Sequence, residues 1–476
     1  MVTIRMILRL TRNLTYIFLG LIGNEAAAES LKAIYEIALT EDATLASASA
    51  SYRADSEARA IARAGILPQI SASGSYTDSS YDQSSFNAYS VIDTKSDTTS
   101  HRYEINLTQP IFNLPAWYNF QRGTNLSDSA KAQFASDQQE FILRVTQSYF
   151  DVLRAFDNNE TRRAEEKAIQ RQLEQTRERY QVGLVPITEV HEAQAASDEA
   201  AVNSLESRGA QRIAFDQLQI LTGRRHEALF GLGEDFVPST PEPRDSDAWV
   251  KFALENNFNL KVAKLTELAA NNYAKAAKSE HLPELTLIAG YDKADRDGSE
   301  SGSQKFVGND LGSSNTFGSE SNGSSIRLSL RVPLFSGGML HAQRRAAAHL
   351  ATSAKENFIS TRRNVIQSAR SMHQNVITDA ARVGARNQSI VSADSALKAT
   401  QAGYEVGTRN IVDVLNAQQN LFRARRNYAN AKFDFIISMM RLRQVSGQLS
   451  PEDVYTLNGW LRPELLISRL DKTNTN

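Results

Sequence analysis

The chain repeats itself at an offset of 224 residues, which places Tyr180 on Tyr404 and Gly183 on Gly407. A repeat on this scale means that one structural unit occurs twice, so we predict an internally duplicated, pseudo-symmetric fold and not a string of independent domains. At the same offset Glu189 and Asp413 both carry an acid. Further identical pairs are Leu173/Leu397, Thr176/Thr400, Ile187/Ile411, Val190/Val414, Ala193/Ala417, Gln194/Gln418, Leu218/Leu442 and Gly223/Gly447.

Composition argues against several classes of function. With 53 basic and 54 acidic residues the net charge is −1, so no overall field would attract nucleic acid. The sequence has no cysteine, which excludes disulfides and an N-terminal lipidated cysteine. Seven scattered histidines form no metal-ligand pattern, and we find no nucleophile arrangement or phosphate loop. We therefore predict no enzyme, no cofactor and no metal site, and we expect acidic pairs such as Glu165-Glu166 to be solvated on a charged helix face.

Residues 1–28 have the pattern of a secretory signal peptide. Arg5, Arg9 and Arg12 precede an apolar run over residues 14–23, and three alanines end at Ala28. The alternative is a membrane anchor, but an apolar core of roughly ten residues is well short of the ~20 that span a bilayer. We predict export and cleavage after Ala28.

Four segments alternate apolar and polar residues, as half-buried strands do. The second strand of each half is followed by a similar step, Pro110-Ile111-Phe112 or Pro333-Leu334-Phe335, where proline ends the ladder because it cannot donate. The predicted apolar faces are Ile70, Ala72, Gly74 and Tyr76; Tyr103, Ile105 and Leu107; Leu285, Leu287, Ala289 and Tyr291; and Ile326, Leu328, Leu330 and Val332.

An apolar face opposite a polar one suits a wall between lipid and water. From periodicity alone, a soluble four-stranded sheet with one solvated face is an equal alternative. Between the strands of each pair lie residues 77–100 and 292–324, and the second of these segments is rich in Gly, Ser, Asp and Asn. We predict long polar loops there.

Residues 114–181 and 339–405 contain almost no Pro and little Gly, while Ala, Gln, Glu and Arg dominate. Each segment predicts one continuous helix, several times longer than the ~12-residue average. Small and apolar residues recur at a spacing of three to four, which predicts that these helices pack as coiled coils. One such series is Ile169, Leu173, Thr176 and Tyr180.

Each long helix is followed by a glycine that could form a left-handed C-cap, Gly183 or Gly407. Thr188 or Asn410 could then cap a helix that returns along the first one. Each half is therefore predicted to end in a helical hairpin. The returning helices would end at a second glycine, Gly223 and Gly447.

The chain resembles the TolC family of outer-membrane channels across nearly all of the predicted mature sequence. The most specific segment is residues 403–415, Gly-Tyr-Glu-Val-Gly-Thr-Arg-Asn-Ile-Val-Asp-Val-Leu, supported by Val182-Gly183-Leu184 and Ile187-Thr188-Glu189-Val190 in the other half. Four strands cannot close a barrel, and open sheet edges in lipid leave backbone groups unsatisfied, so several copies of such a chain must share one barrel.

The resemblance implies an α+β membrane protein in the outer membrane of a Gram-negative bacterium. It would be a homotrimer in which four strands per chain build one twelve-stranded β-barrel, continued by a coiled-coil tunnel in the periplasm. The implied segments are a signal peptide (1–28), a first repeat (29–224, strands about 68–112, helices about 114–224), a connecting equatorial segment (225–250), a second repeat (251–447, strands about 283–336, helices about 339–447) and a C-terminal equatorial segment (448–476).

The resemblance also implies a gate at the periplasmic end of the tunnel. Tyr404 matches a tyrosine that bonds to an acid, here Glu189, and Arg409 matches an arginine that bonds to Thr188. The hairpin tips would meet a periplasmic adaptor of an inner-membrane transporter. These docking residues are Val182, Gly183, Leu184, Val406, Gly407 and Thr408.

The narrowest point would be a ring of acids. Asp413 matches the first acid of this constriction, and Asn416 replaces the second, one helical turn further on. A trimer would then carry three carboxylates beside three amides. Because crowded carboxylates attract cations, we expect weaker cation block than in a ring of six acids.

Two functions from different classes remain open at this point. The first is a passive exit duct of a tripartite export system, which conducts drugs and toxic small molecules or secreted proteins; the sequence does not separate these cargoes. The alternative is an exported coiled-coil structural or adhesion protein, whose Gly- and Ser-rich segments would be linkers.

Overall fold

The computed structural model describes residues 28–86, 90–306 and 309–469, so the predicted signal peptide lies outside the described residues except for Ala28. The described chain divides into two compact units. The helical unit comprises residues up to 50, 134–258 and 362 onwards, and the sheet unit comprises 51–133 and 259–361. The elements, in chain order, are α1 (Leu31–Glu41), α2 (Ala43–Ser56), α3 (Ala58–Ala64), β1 (Gln69–Phe86), β2 (Ser90–Phe112), α4 (Leu114–Gln181), α5 (Ile187–Thr222), β3 (Ala228–Leu232), α6 (Ser246–Asn256), α7 (Phe258–Ser279), β4 (Glu284–Phe306), β5 (Asn309–Arg331), α8 (Met339–Glu405), α9 (Ile411–Val445), α10 (Pro451–Asn458) and β6 (Leu461–Ser468).

The sheet unit contains a four-stranded antiparallel sheet in the order β1, β2, β4, β5. The hairpins β1–β2 and β4–β5 meet along β2 and β4, where Leu107 lies opposite Ala289. The predicted apolar residues share one face of this sheet, and that face is exposed in the single chain. Residues more than half exposed are Ile70, Tyr76, Tyr103, Ile105, Ile326, Leu328 and Leu330. An apolar surface of this extent is typical of a face that contacts lipid or protein.

The structure corrects the prediction of long polar loops. Residues 77–100 and 292–324 lie largely within the four strands, which continue their pairing to the ends of the hairpins. Small polar side chains occupy both faces there, so the apolar alternation that marks a strand is missing from the sequence. Backbone ladder bonds and polar cross-strand contacts support this region. In one of these contacts, Ser84 lies opposite Asp93 and its Oγ donates to Oδ1 over 2.7 Å.

The chain forms two helical hairpins, each built from a long helix, a glycine turn and a returning helix, and the greater part of both lies in the helical unit. Helices α4 and α8 are the long ones, with bounds close to those that composition predicts. Gly183 and Gly407 have φ of 77° and 76°, and a Cβ at either position would meet no atom within 4 Å. The backbone conformation, and not packing, therefore favours glycine here. In the described part of the chain no helix has an apolar stretch long enough to cross a membrane.

Buried apolar side chains of the helical unit form two separate clusters. The large cluster surrounds Tyr149, Phe150, Phe215 and Phe433, each at most 1% exposed. The tip cluster lies closer to the glycine turns. It consists of Ile169, Leu173, Ala193, Ala200, Leu397, Tyr404, Ile411, Val414, Leu415 and Leu421. Burial of each large side chain contributes roughly 1.5–3 kcal/mol, so these clusters hold the hairpins together.

The start of the described chain is held on a two-stranded sheet formed by β3 and β6. The backbone of Glu29 pairs with Ala228 and Phe230, over 3.0 and 3.1 Å. Its carboxylate contacts His226 and Arg224. Burial alone would raise the pKa of Glu29, but the hydrogen bond and charge of His226 and the charge of Arg224 lower it below its ordinary value.

Candidate functional site

One hydrogen bond links the two hairpins next to their tips. Tyr404, at the end of α8, is 7% exposed, and its hydroxyl donates to Oε2 of Glu189 in the first turn of α5 over 2.9 Å. The guanidinium of Arg179, near the end of α4, lies 4.7 Å from the centre of the tyrosine ring. Burial raises the pKa of Tyr404, and the bond to Glu189 and its charge raise it further. The phenol therefore stays protonated and acts as a donor at neutral pH.

The position of Arg409 differs from the predicted link to Thr188. Its Nη1 lies 3.7 Å from Oδ2 of Asp413, one helical turn further along the chain. Among the described contacts none joins Arg409 to Thr188. The link to Thr188 therefore stays a prediction. The predicted capping role of Thr188 is wrong, because α5 starts at Ile187 after Pro186, which provides no side-chain cap.

Asp413 also forms part of the N-terminal cap of α9. Oδ1 of Asn410 accepts from the backbone nitrogen of Asp413 over 2.9 Å, and Oδ2 of Asp413 accepts from that of Asn410 over 3.4 Å. This capping box fixes the first turn of the helix, as predicted for Asn410. Asn416 follows at a spacing of three, so both side chains lie on one side of α9, with Asn416 exposed.

The hairpin tips themselves are apolar and exposed. Val182, Leu184 and Val406 are 71%, 67% and 75% exposed. They flank Gly183 and Gly407, whose left-handed conformation turns the chain. Three apolar side chains on short turns give a small surface that suits contact with another protein.

A second contact between the hairpins is absent from the sequence-based prediction. Glu165 is only 4% exposed and accepts from Nη1 of Arg426 over 2.6 Å and from Nη1 of Arg162 over 3.1 Å. The expectation that Glu165 is solvated is therefore wrong. A signal was present, since Glu165 lies four residues before Ile169 and so continues the buried spacing of Ile169 and Leu173.

The described residues contain no group of three or more potential metal ligands. The arrangement at the tips instead consists of a tyrosine–carboxylate bond, an arginine–carboxylate pair and exposed apolar turns. The tyrosine–carboxylate bond can hold two helical hairpins together reversibly, because it is worth only about 1 kcal/mol, whereas the arginine–carboxylate pair lies within one hairpin.

Comparison with known proteins gives consistent similarities. The family described as "Outer membrane efflux protein" matches residues 34–224 and 249–448, one stretch in each half of the chain. Outer membrane protein TolC of Vibrio cholerae serotype O1 is 34% identical over 444 residues, which cover 93% of this chain and 96% of that protein. Alkaline protease secretion protein AprF of Pseudomonas aeruginosa is 28% identical over 92% of this chain and 88% of its own length.

A solved structure shares the fold. The outer membrane protein VceC of Vibrio cholerae superposes with a TM-score of 0.69 and covers 88% of this chain and 96% of its own. Its sequence identity of 19% is low, so this similarity concerns the fold alone.

Proposed function

Because this chain belongs to the TolC family of outer membrane efflux proteins, we propose that the contacts at its hairpin tips are the closed gate of an exit duct. The protein is an outer-membrane channel of Gram-negative bacteria and not an enzyme. It lets drugs or secreted proteins leave the cell. The observation that carries the gate proposal is the hydrogen bond from Tyr404 to Glu189, which links one hairpin to the other beside the tips.

The assembly that we propose is a homotrimer. Strands β1 and β5 are the edges of the four-stranded sheet, and such edges are not tolerated in lipid because their backbone groups lack partners. Three copies joined edge to edge would close a barrel of twelve strands, with the exposed apolar face towards lipid. The helical hairpins would then extend into the periplasm, and residues 225–250 and 448–469 would form the equatorial segments; the rest of the predicted C-terminal segment lies outside the described residues.

We assign the hairpin tips to the contact with a periplasmic adaptor, which connects the duct to an inner-membrane transporter. The exposed apolar residues of both turns support this assignment. Gly183, Gly407 and Thr408 complete the two turns, where Oγ1 of Thr408 donates to the backbone oxygen of Gly403 over 3.0 Å. Adaptor binding could release the contact at the tips without unfolding the hairpins, because the hydrogen bond there is a single weak link.

Inside the closed gate, Asp413 and Asn416 would narrow the pore. Asp413 is held in place by its capping box with Asn410 and by Arg409. A trimer would present one carboxylate and one amide from each chain. The ring therefore keeps a cation-attracting character, but with half the charge of a ring of six acids.

Two measurements test this function. Purified protein in planar lipid bilayers should form channels, and it should run as a heat-dissociable oligomer in detergent. A coiled-coil adhesion protein would show neither property.

A third measurement distinguishes the two kinds of cargo. Intracellular accumulation of a fluorescent pump substrate is compared in cells lacking this chain and in complemented cells. Higher accumulation on deletion identifies small-molecule efflux, whereas equal accumulation with intact channel activity favours protein secretion.

A further inference from the structure

The two apolar clusters of the helical unit are separated by a polar layer. On α4 the large cluster and the residues packed against it end at Phe156, and the tip cluster begins at Ile169. On α9 the tip cluster ends at Leu421, and the large cluster with the residues packed against it resumes at Tyr428. The two clusters are therefore separated by between three and four turns on α4 and by about two turns on α9.

Polar pairs connect α4 and α9 both within this layer and beside the large cluster. In these pairs the residue number on α9 decreases as the residue number on α4 increases, so the two helices run antiparallel. The contacts are Gln147 with Arg441 (3.4 Å), Arg154 with Asp434 (2.9 Å), Asn158 with Asn430 (3.3 Å) and Glu165 with Arg426 (2.6 Å).

The pair nearest to the tips is also the most buried. The side chains of Glu165 and Arg426 are 6% and 13% exposed, whereas those of Arg154 and Asp434 are 30% and 40% exposed. A polar cavity of about 180 Å³ adjoins the buried pair, and its lining includes Arg423 as well.

Two carboxylates line this cavity, of which Glu199 is exposed and Glu165 is buried. Glu165 contacts Arg162 and Arg426 at the same time, through the same oxygen Oε2. Burial lowers the pKa of Arg426, the charge of Glu165 opposes this, and the positive charges of Arg162 and Arg423 lower the pKa further. Without Glu165, α4 and α9 would face each other with like charges in a largely buried place.

We propose that the ion pair between Glu165 and Arg426 is a second contact that keeps the gate closed, away from the hairpin tips. The inference rests on the proposed function and extends it. Glu165 precedes Arg179, which contacts Tyr404, by 14 residues of the same helix, a separation of about 21 Å. Helices α4 and α9 belong to different hairpins, so an opening that moves one hairpin away from the other must separate this pair.

A buried carboxylate that loses its partner is strongly disfavoured, so the pair would draw the hairpins together again after release. Reversing one charge should have the opposite effect. In Arg426→Glu two carboxylates would face each other between α4 and α9, and their repulsion would push the hairpins apart. In the double variant Glu165→Arg with Arg426→Glu, one carboxylate again lies between two arginines, now at positions 162 and 165.

The test is single-channel conductance of the full-length protein in planar bilayers. We expect Arg426→Glu to raise the open probability at least about tenfold, and the double charge swap to return it towards the wild-type value. Asp394→Asn is the matched control, because it removes an exposed ion pair to Lys398 within α8 and joins no two helices. The proposal would be overturned if Arg426→Glu conducted as wild type does. It would also be overturned if the double charge swap had as high an open probability as Arg426→Glu.

A cross-link provides a test that does not depend on folding of the charge variants. The chain has no cysteine, so Glu165→Cys with Arg426→Cys can be joined selectively by a bifunctional thiol reagent. We expect this link to abolish the conductance increase caused by Tyr404→Phe with Arg409→Ala. If the cross-linked protein still opens, α4 and α9 do not separate at this pair during opening, and the proposal fails. If wild type and all variants lack channel activity, the proposed function itself is at fault.

Discussion

The hydroxyl of Tyr404 reaches Glu189 across the two hairpins, whereas Tyr180, which occupies the same position in the other half of the duplication, is 44% exposed. The duplication thus kept the tyrosine in both halves, but only one of the two is buried. In the trimer that we propose, one such link per chain would hold the gate. The asymmetry between the halves also supplies an internal control for experiments on Tyr404.

Loss of the tip contacts should open the channel. In the double variant Tyr404→Phe with Arg409→Ala, the bond to Glu189 and the pair with Asp413 are both removed. The bond to Glu189 joins the two hairpins and contributes about 1 kcal/mol, so its loss should shift the equilibrium between closed and open states about fivefold, whereas the Arg409–Asp413 pair lies within one hairpin. Mean conductance in planar bilayers should rise accordingly, while Tyr180→Phe should conduct as wild type does. Equal conductance in the double variant and in wild type would contradict the gate assignment.

Two glycines with opposite backbone requirements should respond oppositely to alanine. Gly407 has φ of 76°, whereas Gly384 lies inside α8, and a Cβ at either position meets no atom within 4 Å. We expect Gly407→Ala to lower the free energy of unfolding by about 1 kcal/mol, because alanine is strained at positive φ. Gly384→Ala should raise it by roughly 0.5–1 kcal/mol, since alanine favours the helix.

Thermal unfolding followed by far-UV circular dichroism measures both changes in the glycine experiment. Because neither substitution meets a neighbouring atom, packing cannot account for a difference between them. A destabilised Gly384→Ala together with an unchanged Gly407→Ala would show that the backbone at these positions differs from the one described.

The extent to which the sequence predicts this fold depends on the kind of signal. The long helices are evident because Ala, Gln, Glu and Arg continue without interruption, and the turn glycines at 183 and 407 are evident because the duplication aligns them. The distal parts of the strands were missed, since Ser, Thr, Asp and Gly on both faces leave no period of two. In these parts the strands are held by hydrogen bonds between backbone groups, and such bonds leave no pattern in the sequence.

Prediction of the site was limited by contacts that involve distant parts of the chain. Glu189 and Tyr404 were paired through the family resemblance, not through the residues alone. Burial of Glu165 depends on Arg426 on another helix, and no local pattern names that partner. Arg409 was assigned to Thr188 through the same resemblance, and its pair with Asp413 was not predicted.

The pH dependence of stability should reveal one partly buried acid on α4. Burial raises the pKa of Asp157 to about 6, and the nearby charge of Glu160 adds to this, while Lys432 acts in the opposite direction. Between pH 3.8, the ordinary pKa of an aspartate, and about pH 6, the folded chain therefore holds a proton that the unfolded chain has released. Stability falls as the pH rises through this interval.

Asp157→Asn should remove that loss of stability. We expect the variant to match wild type near the lower end of the interval and to be more stable by on the order of 2 kcal/mol at neutral pH. Thermal unfolding across this range measures the difference, with Asp394→Asn as an exposed control. If the two proteins differ by the same amount at every pH, Asp157 is not protonated in the folded chain.

Restoring an acid at position 416 should strengthen cation block of the closed pore. Asn416 is exposed and lies three residues after Asp413 on the same side of α9, so Asn416→Asp brings two carboxylates close together in each chain. In the proposed trimer the charge of the ring would double, and crowded carboxylates bind cations because the bound charge relieves their repulsion. Single-channel recordings with a divalent cation should show block at about tenfold lower concentration in the variant, since a gain of 1.4 kcal/mol in binding has that effect. Asn420→Asp, which adds a charge one turn further along α9, serves as the control and should change the block less. Block of equal strength in wild type and Asn416→Asp would show that this position does not line the constriction, and block that is lost in Asp413→Asn alone would assign the whole effect to Asp413.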